Sequence, residues 1–126
     1  MNKENIYNGD CPVLSSLNIL GGKWRIPILW YLKDGGLRYN ELKRQLKGIT
    51  NIMLTRSLRD LEEHGLILRI QHSQIPPHVE YFLTDDSKKL IPALLLIQEW
   101  SKEHISLENT EKYHSNKEQN LPTVDY

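Results

Sequence analysis

Three groups of side chains in this 126-residue chain have types and spacings that could do chemistry. Asn51, Thr55, Arg56 and Arg59 point away from the helically spaced Leu54, Leu58 and Leu61. Arginine can hydrogen-bond guanine in two places and asparagine adenine likewise, so this row, with Thr50 and Ile52 at its start, is suited to reading base edges. The competing reading is an ordinary exposed polar face. Lys23, Arg38, Asn40 and Lys43 are better suited to phosphates, contacts that orient a protein on a duplex without conveying sequence. The third group is Cys11 alone. A thiol at the start of a helix feels the positive end of the dipole, which raises its thiolate fraction and reactivity. A small buried residue at the seam of a dimer is the alternative. As the sole cysteine it can form no disulfide within the chain and no paired-cysteine metal site. The five histidines fall in no metal-ligand spacing with other ligands, so neither a metal nor another cofactor is expected.

The elements that must position these residues lie between Leu37 and Leu83. Leu42 and Leu46 mark one short helix, and Leu54, Leu58 and Leu61 mark a second. Gly48-Ile49-Thr50-Asn51 interrupts the period between them, with Thr50 placed to cap the second helix and Gly65 to end it in a left-handed conformation. Two short helices joined by about four residues match a helix-turn-helix. Leu66 to Gln71 and Val79 to Leu83 alternate as two antiparallel strands. Leu66, Leu68 and Ile70 are expected on one face, and Val79, Tyr81 and Leu83 on one face of the partner. The connecting His72 to His78 is the expected wing, and its His72, Ser73 and Gln74 are candidates for backbone or minor-groove contacts against plain loop solvation. Tyr39, Trp24 and Tyr81 read as core.

Outside this unit, Asp10-Cys11-Pro12 starts a helix with Val13, Leu17 and Leu20 on one face, and Gly21-Gly22 ends it. A second helix is expected from about Lys23 to Lys33, with Trp24, Ile28, Leu29 and Leu32 toward a core, and Leu37 to Tyr39 adds a short edge strand. After Thr84, a plausible cap, a last helix carries Leu90, Leu94, Ile97 and Trp100, with a kink expected between Lys88 and Pro92. Its apolar residues cover nearly the whole circumference, more than a terminal helix can bury on its own small domain, and a second subunit is the economical explanation.

The length supports one domain, over residues 10–105, between a flexible segment at 1–9 and a disordered polar tail at 106–126. The net charge is zero but unevenly spread. Gly21 to Asp60 holds nine basic residues against three acidic ones, and Glu99 to Tyr126 six acidic against three basic. The basic segment coincides with the helix-turn-helix, the footprint expected for phosphate binding, although any solvated charged face has the same composition. No leader or membrane-spanning run is read, so a cytoplasmic location is expected, with no membrane partner. An enzyme is not expected: there is no glycine-rich phosphate loop, no nucleophile elbow, and no evident general base for Cys11. A winged-helix module that binds protein instead of DNA is the remaining alternative, and the basic segment speaks against it.

Taken in order, Cys11-Pro12, Gly21-Gly22-Lys23-Trp24, Leu37-Arg38-Tyr39-Asn40-Glu41-Leu42, Met53-Leu54-Thr55, Leu58-Arg59, Leu61-Glu62, Gly65-Leu66, Pro76-Pro77-His78-Val79-Glu80-Tyr81 and Leu83-Thr84 resemble the HxlR-type winged helix-turn-helix regulators of bacteria, over about residues 11 to 104. The resemblance implies a mainly α fold with a small β-hairpin wing. It also implies a homodimeric DNA-binding transcriptional regulator. Two subunits would prefer a pseudo-palindromic operator in double-stranded DNA, and repression is the expected outcome. The first and last helices would form the dimer interface, here through Val13, Leu17, Leu90, Leu94, Ile97 and Trp100. Some members sense oxidants or electrophiles through a cysteine near the N-terminus, which implies a small electrophile or oxidant as a partner for Cys11. The chain departs from the family at Asn51 and Ile52, where a proline and then a lysine are frequent, and at Arg56-Ser57, where a Gln-Arg pair is frequent. Base preference therefore does not carry over from a relative. Ser87 stands where glycine is common.

Overall fold

Ile28, Leu29, Leu32, Leu42, Leu46, Leu54, Leu58 and Leu61, all expected to be apolar positions of helices, are buried together with Ile49, Leu66, Ile67 and Leu83. Around them the chain is built as α1 (Pro12–Leu20), α2 (Arg25–Tyr31), β1 (Leu37–Arg38), α3 (Tyr39–Gln45), α4 (Asn51–Glu63), β2 (Ile67–Gln74), β3 (Pro77–Leu83), α5 (Asp85–Lys88) and α6 (Ile91–His104). This computed structural model describes residues 11–105, so the segments expected to be flexible at 1–9 and disordered at 106–126 lie outside it. The chain divides into two units after Ile91, and the second contains α6 from Pro92 onward. The strands form one antiparallel sheet in the order β1-β3-β2. With α3 and α4 before the β2–β3 hairpin, this is a winged helix-turn-helix.

Local chemistry explains where the elements stop. Cys11 is the N-cap of α1 with Pro12 following in the first turn, where a missing N–H costs nothing. α2 is shorter than the expected Lys23 to Lys33 at both ends, because Trp24 already occupies the cap and Leu32 the end. Pro27 then falls at the third helical residue, whose N–H would have no intrahelical partner, so it neither bends nor breaks the helix. Trp24 is half-buried, with its indole nitrogen buried and without a hydrogen-bond partner among the described residues, and its ring 4.9 Å from the Lys23 ammonium. Gly65 takes φ +74° just past α4, and the amide of Leu66 bonds back to the carbonyl of Leu61 at 2.9 Å, which closes the helix in the left-handed turn the residue type allows.

Two expectations are corrected. Leu68 and Ile70 share a face of β2, as expected, but it is the exposed one, and Leu66 lies before the strand and is buried apart from them. In the observed register Ile67 pairs with Leu83 and both are buried, whereas Leu68, opposite Phe82, is 49% exposed. Leu66 is buried because it precedes the strand, where its carbonyl accepts the amide of Thr84 at 3.2 Å. The face expected for β3 agrees with this register. The last helix is not one kinked rod either. α5 ends at Lys88 and α6 begins at Ile91, with Lys89 and Leu90 between them. Thr84 caps α5 as expected, accepting the Ser87 amide at 3.1 Å and donating to the carbonyl of Gly65 at 2.8 Å. Ser87 itself is buried and donates from its hydroxyl to the carbonyl of Thr84 at 3.1 Å.

Within α1 the single buried residue is Ser15, while Val13, Leu14 and Leu17 are exposed, Val13 to 73%. No residue of α6 is buried. Leu95, Leu96, Ile97 and Trp100 are exposed along it, and the Trp100 ring stacks on His104 at 4.6 Å.

Candidate nucleic-acid interface

The Thr50 hydroxyl accepts the amide of Met53 at 3.1 Å and so fixes the start of α4. Burial of Leu54, Leu58 and Leu61 on one side then leaves the other side to solvent. Asn51, Ile52, Thr55, Arg56 and Arg59 are exposed and line one shallow depression there. The structure thus brings the residues expected to read bases onto one surface at the N-terminal part of the helix, where a base-reading helix makes its contacts. A residue expected only in the core joins them. The Tyr39 hydroxyl, from the first residue of α3, lies 3.1 Å from the Asn51 carbonyl, 3.4 Å from Asn51 Oδ1 and 3.1 Å from Thr55 Oγ1. Tyr39 therefore ties the two helices together through the side chains of the reading face. Its aromatic body suggested core, and no periodicity marks where a phenol oxygen will end.

The phosphate candidates separate. Arg38 and Asn40 line a cleft at the start of α3, together with Glu41, Arg44, His78 and Val79. Lys43 and Lys23 do not line it, and Lys43 is half-buried. Arg44, its neighbour on α3, is exposed and lines the cleft. The two differ by one position, about 100° around a helix, which a coarse helix boundary does not resolve. Glu41 accepts the amide of Arg38 at 2.9 Å and fixes the entry to α3. Arg25, counted within the basic segment, is committed elsewhere. It pairs with Asp60 of α4 at 2.8 Å and donates to the carbonyl of Ile19 at 2.7 Å, bracing α4 against the end of α1.

The wing is a longer hairpin than expected. β2 continues through Ser73 to Gln74 and β3 starts at Pro77, leaving Ile75 and Pro76 as the turn. Pro77 is tolerated as the first residue of a strand, so the Pro-Pro pair does not lengthen the loop. Ile75 is 92% exposed at the tip. His72 is not a free loop side chain. Its Nε2 lies 2.9 Å from Glu80 Oε1, and its ring meets that of His78 edge to face at 5.0 Å. Arg38 donates from Nε to His78 Nε2 at 2.9 Å. The expectation that the histidines are scattered is corrected for these two. They are six residues apart in sequence and become neighbours only through hairpin pairing.

Cys11 is exposed. The amides of Leu14 and then Val13, at the start of α1, hold its thiol below its ordinary value, outweighing the small opposing effect of desolvation. A lowered pKa is the direction expected of a thiol at a helix N-terminus.

The family model for HxlR-like helix-turn-helix proteins matches residues 19–109, which span α2 through α6 and every residue of the reading face. The chain belongs to the HxlR-like helix-turn-helix family. An HTH-type transcriptional regulator of Methanothermobacter thermautotrophicus is 45% identical over 104 residues, 76% of this chain and 79% of that protein. The regulator YybR of Bacillus subtilis is 40% identical over 116 residues, 90% of this chain and 91% of that protein. Among solved structures, the redox regulator HypR in its reduced form is similar with a TM-score of 0.73 and 37% identity, over 79% of this chain and 99% of that one. Its oxidised form gives 0.70 and 41% over 74% and 96%. The protein is accordingly a DNA-binding transcriptional regulator of the HxlR type. Within the family frame, Asn51 and Ile52 both lie on the exposed surface of α4, so the departure there falls on the surface and not in the core. No helix among the described residues is long and apolar enough to cross a membrane.

Proposed function

We propose that this HxlR-type regulator represses transcription as a cytoplasmic homodimer bound to a pseudo-palindromic operator, and that oxidation or alkylation of Cys11 changes its affinity. The observation that carries the reading is the exposed row of Asn51, Thr55, Arg56 and Arg59 on α4, held by Tyr39. Arg56 and Asn51 supply bidentate partners for base edges in the major groove, and Arg38, Asn40 and Arg44 flank them for the phosphates. A second copy is supported separately by the exposed Val13, Leu14 and Leu17 of α1 and by the exposed Leu95, Leu96, Ile97 and Trp100 of α6. Cys11 at the exposed N-cap of α1 lies two residues from Val13, so an adduct or a disulfide to the second copy adds bulk, charge or a constraint beside that apolar face.

The test is to select DNA fragments from a random pool with the purified protein and sequence them. A recurring two-fold symmetric site with half-sites about one helical turn, ~34 Å, or a multiple apart is the expected result. Salt-sensitive binding with no enriched sequence would sink it. Operator binding is then titrated with diamide for the native protein and for Cys11→Ser. A response in the native protein alone is expected, and equal affinities before and after treatment would remove Cys11 from the mechanism.

A further inference from the structure

We propose that the outer face of the wing hairpin carries a binding site for a divalent transition metal, formed by His72, His78 and Glu80. One ligand atom from each of the three lies within 4.8 Å of the other two. The placement follows from strand geometry. His78 and Glu80 are two apart on β3 and so share a face. His72 joins them because the register that pairs Ile70 with Glu80 and Gln71 with Val79 carries it to the position opposite His78, where the register shifts between Gln71 and Ser73. A bulge of this kind re-aims a side chain and is over-represented beside functional sites.

The distances suit a small N/O site. Glu80 Oε1 lies 2.9 Å from His72 Nε2 and 3.5 Å from His78 Nε2. A tetrahedral zinc with bonds of about 2.0–2.2 Å holds its ligand atoms about 3.4 Å apart, so shifts of the outer ends of these side chains are enough to close the set. Two imidazoles and one carboxylate favour zinc or a similar borderline cation over calcium or magnesium, which prefer oxygen. Three protein ligands leave one coordination position for water or for a further ligand.

A competitor is built in. The Arg38 guanidinium lies 2.9 Å from each ring nitrogen of His78, through Nε and Nη2, so whichever nitrogen ligates the metal must first lose Arg38. Metal and guanidinium therefore exclude one another at His78. Loading releases Arg38 toward the cleft that it lines with Asn40 and Arg44. That consequence for phosphate contacts rests on the DNA reading above, whereas the site itself does not.

The experiment is a zinc titration of the untagged, metal-stripped chain against a chromophoric chelator, without DNA, so that a failure of operator binding has no bearing on it. One equivalent per chain is expected. His72→Ala and Glu80→Gln should each weaken binding by more than about tenfold, since even outer partners of a metal site are worth that much. Arg38→Ala should tighten it, and Cys11→Ser should leave it unchanged. Far-UV circular dichroism on each variant establishes that the fold is retained. Absence of saturable binding by the native chain, unchanged affinity in both His72→Ala and Glu80→Gln, or no gain in Arg38→Ala would each overturn the proposal. Arg38→Ala keeps the test decisive if a ligand variant misfolds, because loss of affinity through damage cannot masquerade as a gain.

Discussion

Arg56 and Arg44 are both exposed arginines on the helix-turn-helix, yet they are placed for different work. Arg56 lies in the row on α4 with Asn51 and Thr55, and Arg44 lies in the cleft with Arg38 and Asn40. Replacing Arg56 by Ala should therefore cost about 1–3 kcal/mol at the specific site and relax preference at one base pair. Replacing Arg44 should weaken specific and random DNA alike and reduce the salt slope by about one. Fluorescence anisotropy on both DNAs at several salt concentrations separates the two, and an Arg56→Ala protein with unchanged affinity for both would place the docking face elsewhere. Cys11 permits a second test at this scale. Because the Leu14 and Val13 amides lower its pKa, the thiolate persists at lower pH than in an unstructured chain. The rate of alkylation by iodoacetamide, plotted against pH, should have its midpoint below that of a free cysteine thiol and should be faster at pH 7. A midpoint at or above the free value would mean that the helix start does not activate it.

The elements are held by a few residues whose loss is predictable. Gly65 adopts φ +74° with no atom near a prospective Cβ, so Gly65→Ala introduces no clash and only the left-handed backbone cost. A loss of about 1–2 kcal/mol is expected, read as a lower urea midpoint at unchanged slope. Tyr39→Phe keeps the ring and removes only the hydroxyl between Asn51 and Thr55. Stability should fall by about 0.5–1.5 kcal/mol, and discrimination between operator and random DNA should narrow as the two side chains are released. Unchanged discrimination would make Tyr39 a packing residue alone. α4 was legible because Leu54, Leu58 and Leu61 follow the helical period and because Thr50 and Gly65 are strong punctuation. β2 was legible as a strand but not in its facing. Its apolar alternation put Leu68 and Ile70 on one face, and pairing with β3 makes that the more exposed face and buries Ile67 opposite Leu83. One residue of register reverses every side chain, and both parities here contain apolar residues.

At the scale of the whole molecule the exposed apolar residues dominate. Val13, Leu14 and Leu17 on α1 and Leu95, Leu96, Ile97 and Trp100 on α6 would be unfavourable on a monomer. Sedimentation velocity at micromolar concentration should report a dimer, and Ile97→Glu together with Trp100→Glu should shift it toward monomer while circular dichroism stays helical. A native chain that sediments only as a monomer would contradict the dimeric reading. Charge acts at the same scale. A net charge of zero hides a basic stretch that coincides with α2 through α4, in which Arg25 and Asp60 pair with each other while Lys23, Arg38, Arg44, Lys47, Arg56 and Arg59 are exposed.

Helical period, caps and left-handed glycines are local, so the sequence alone determined α3, α4, their turn and the outward row from Asn51 to Arg59. It also determined, through one cysteine beside Pro12, a thiol at a helix start. What it could not determine were relations between residues distant along the chain. The Tyr39 hydroxyl between Asn51 and Thr55, the Arg25–Asp60 pair, and the meeting of His72, His78 and Glu80 beside Arg38 all depend on which strands and helices pack and in what register. Those choices are made by burial of Ile67, Leu83 and the helix stripes as a set, and no short window of sequence contains that set.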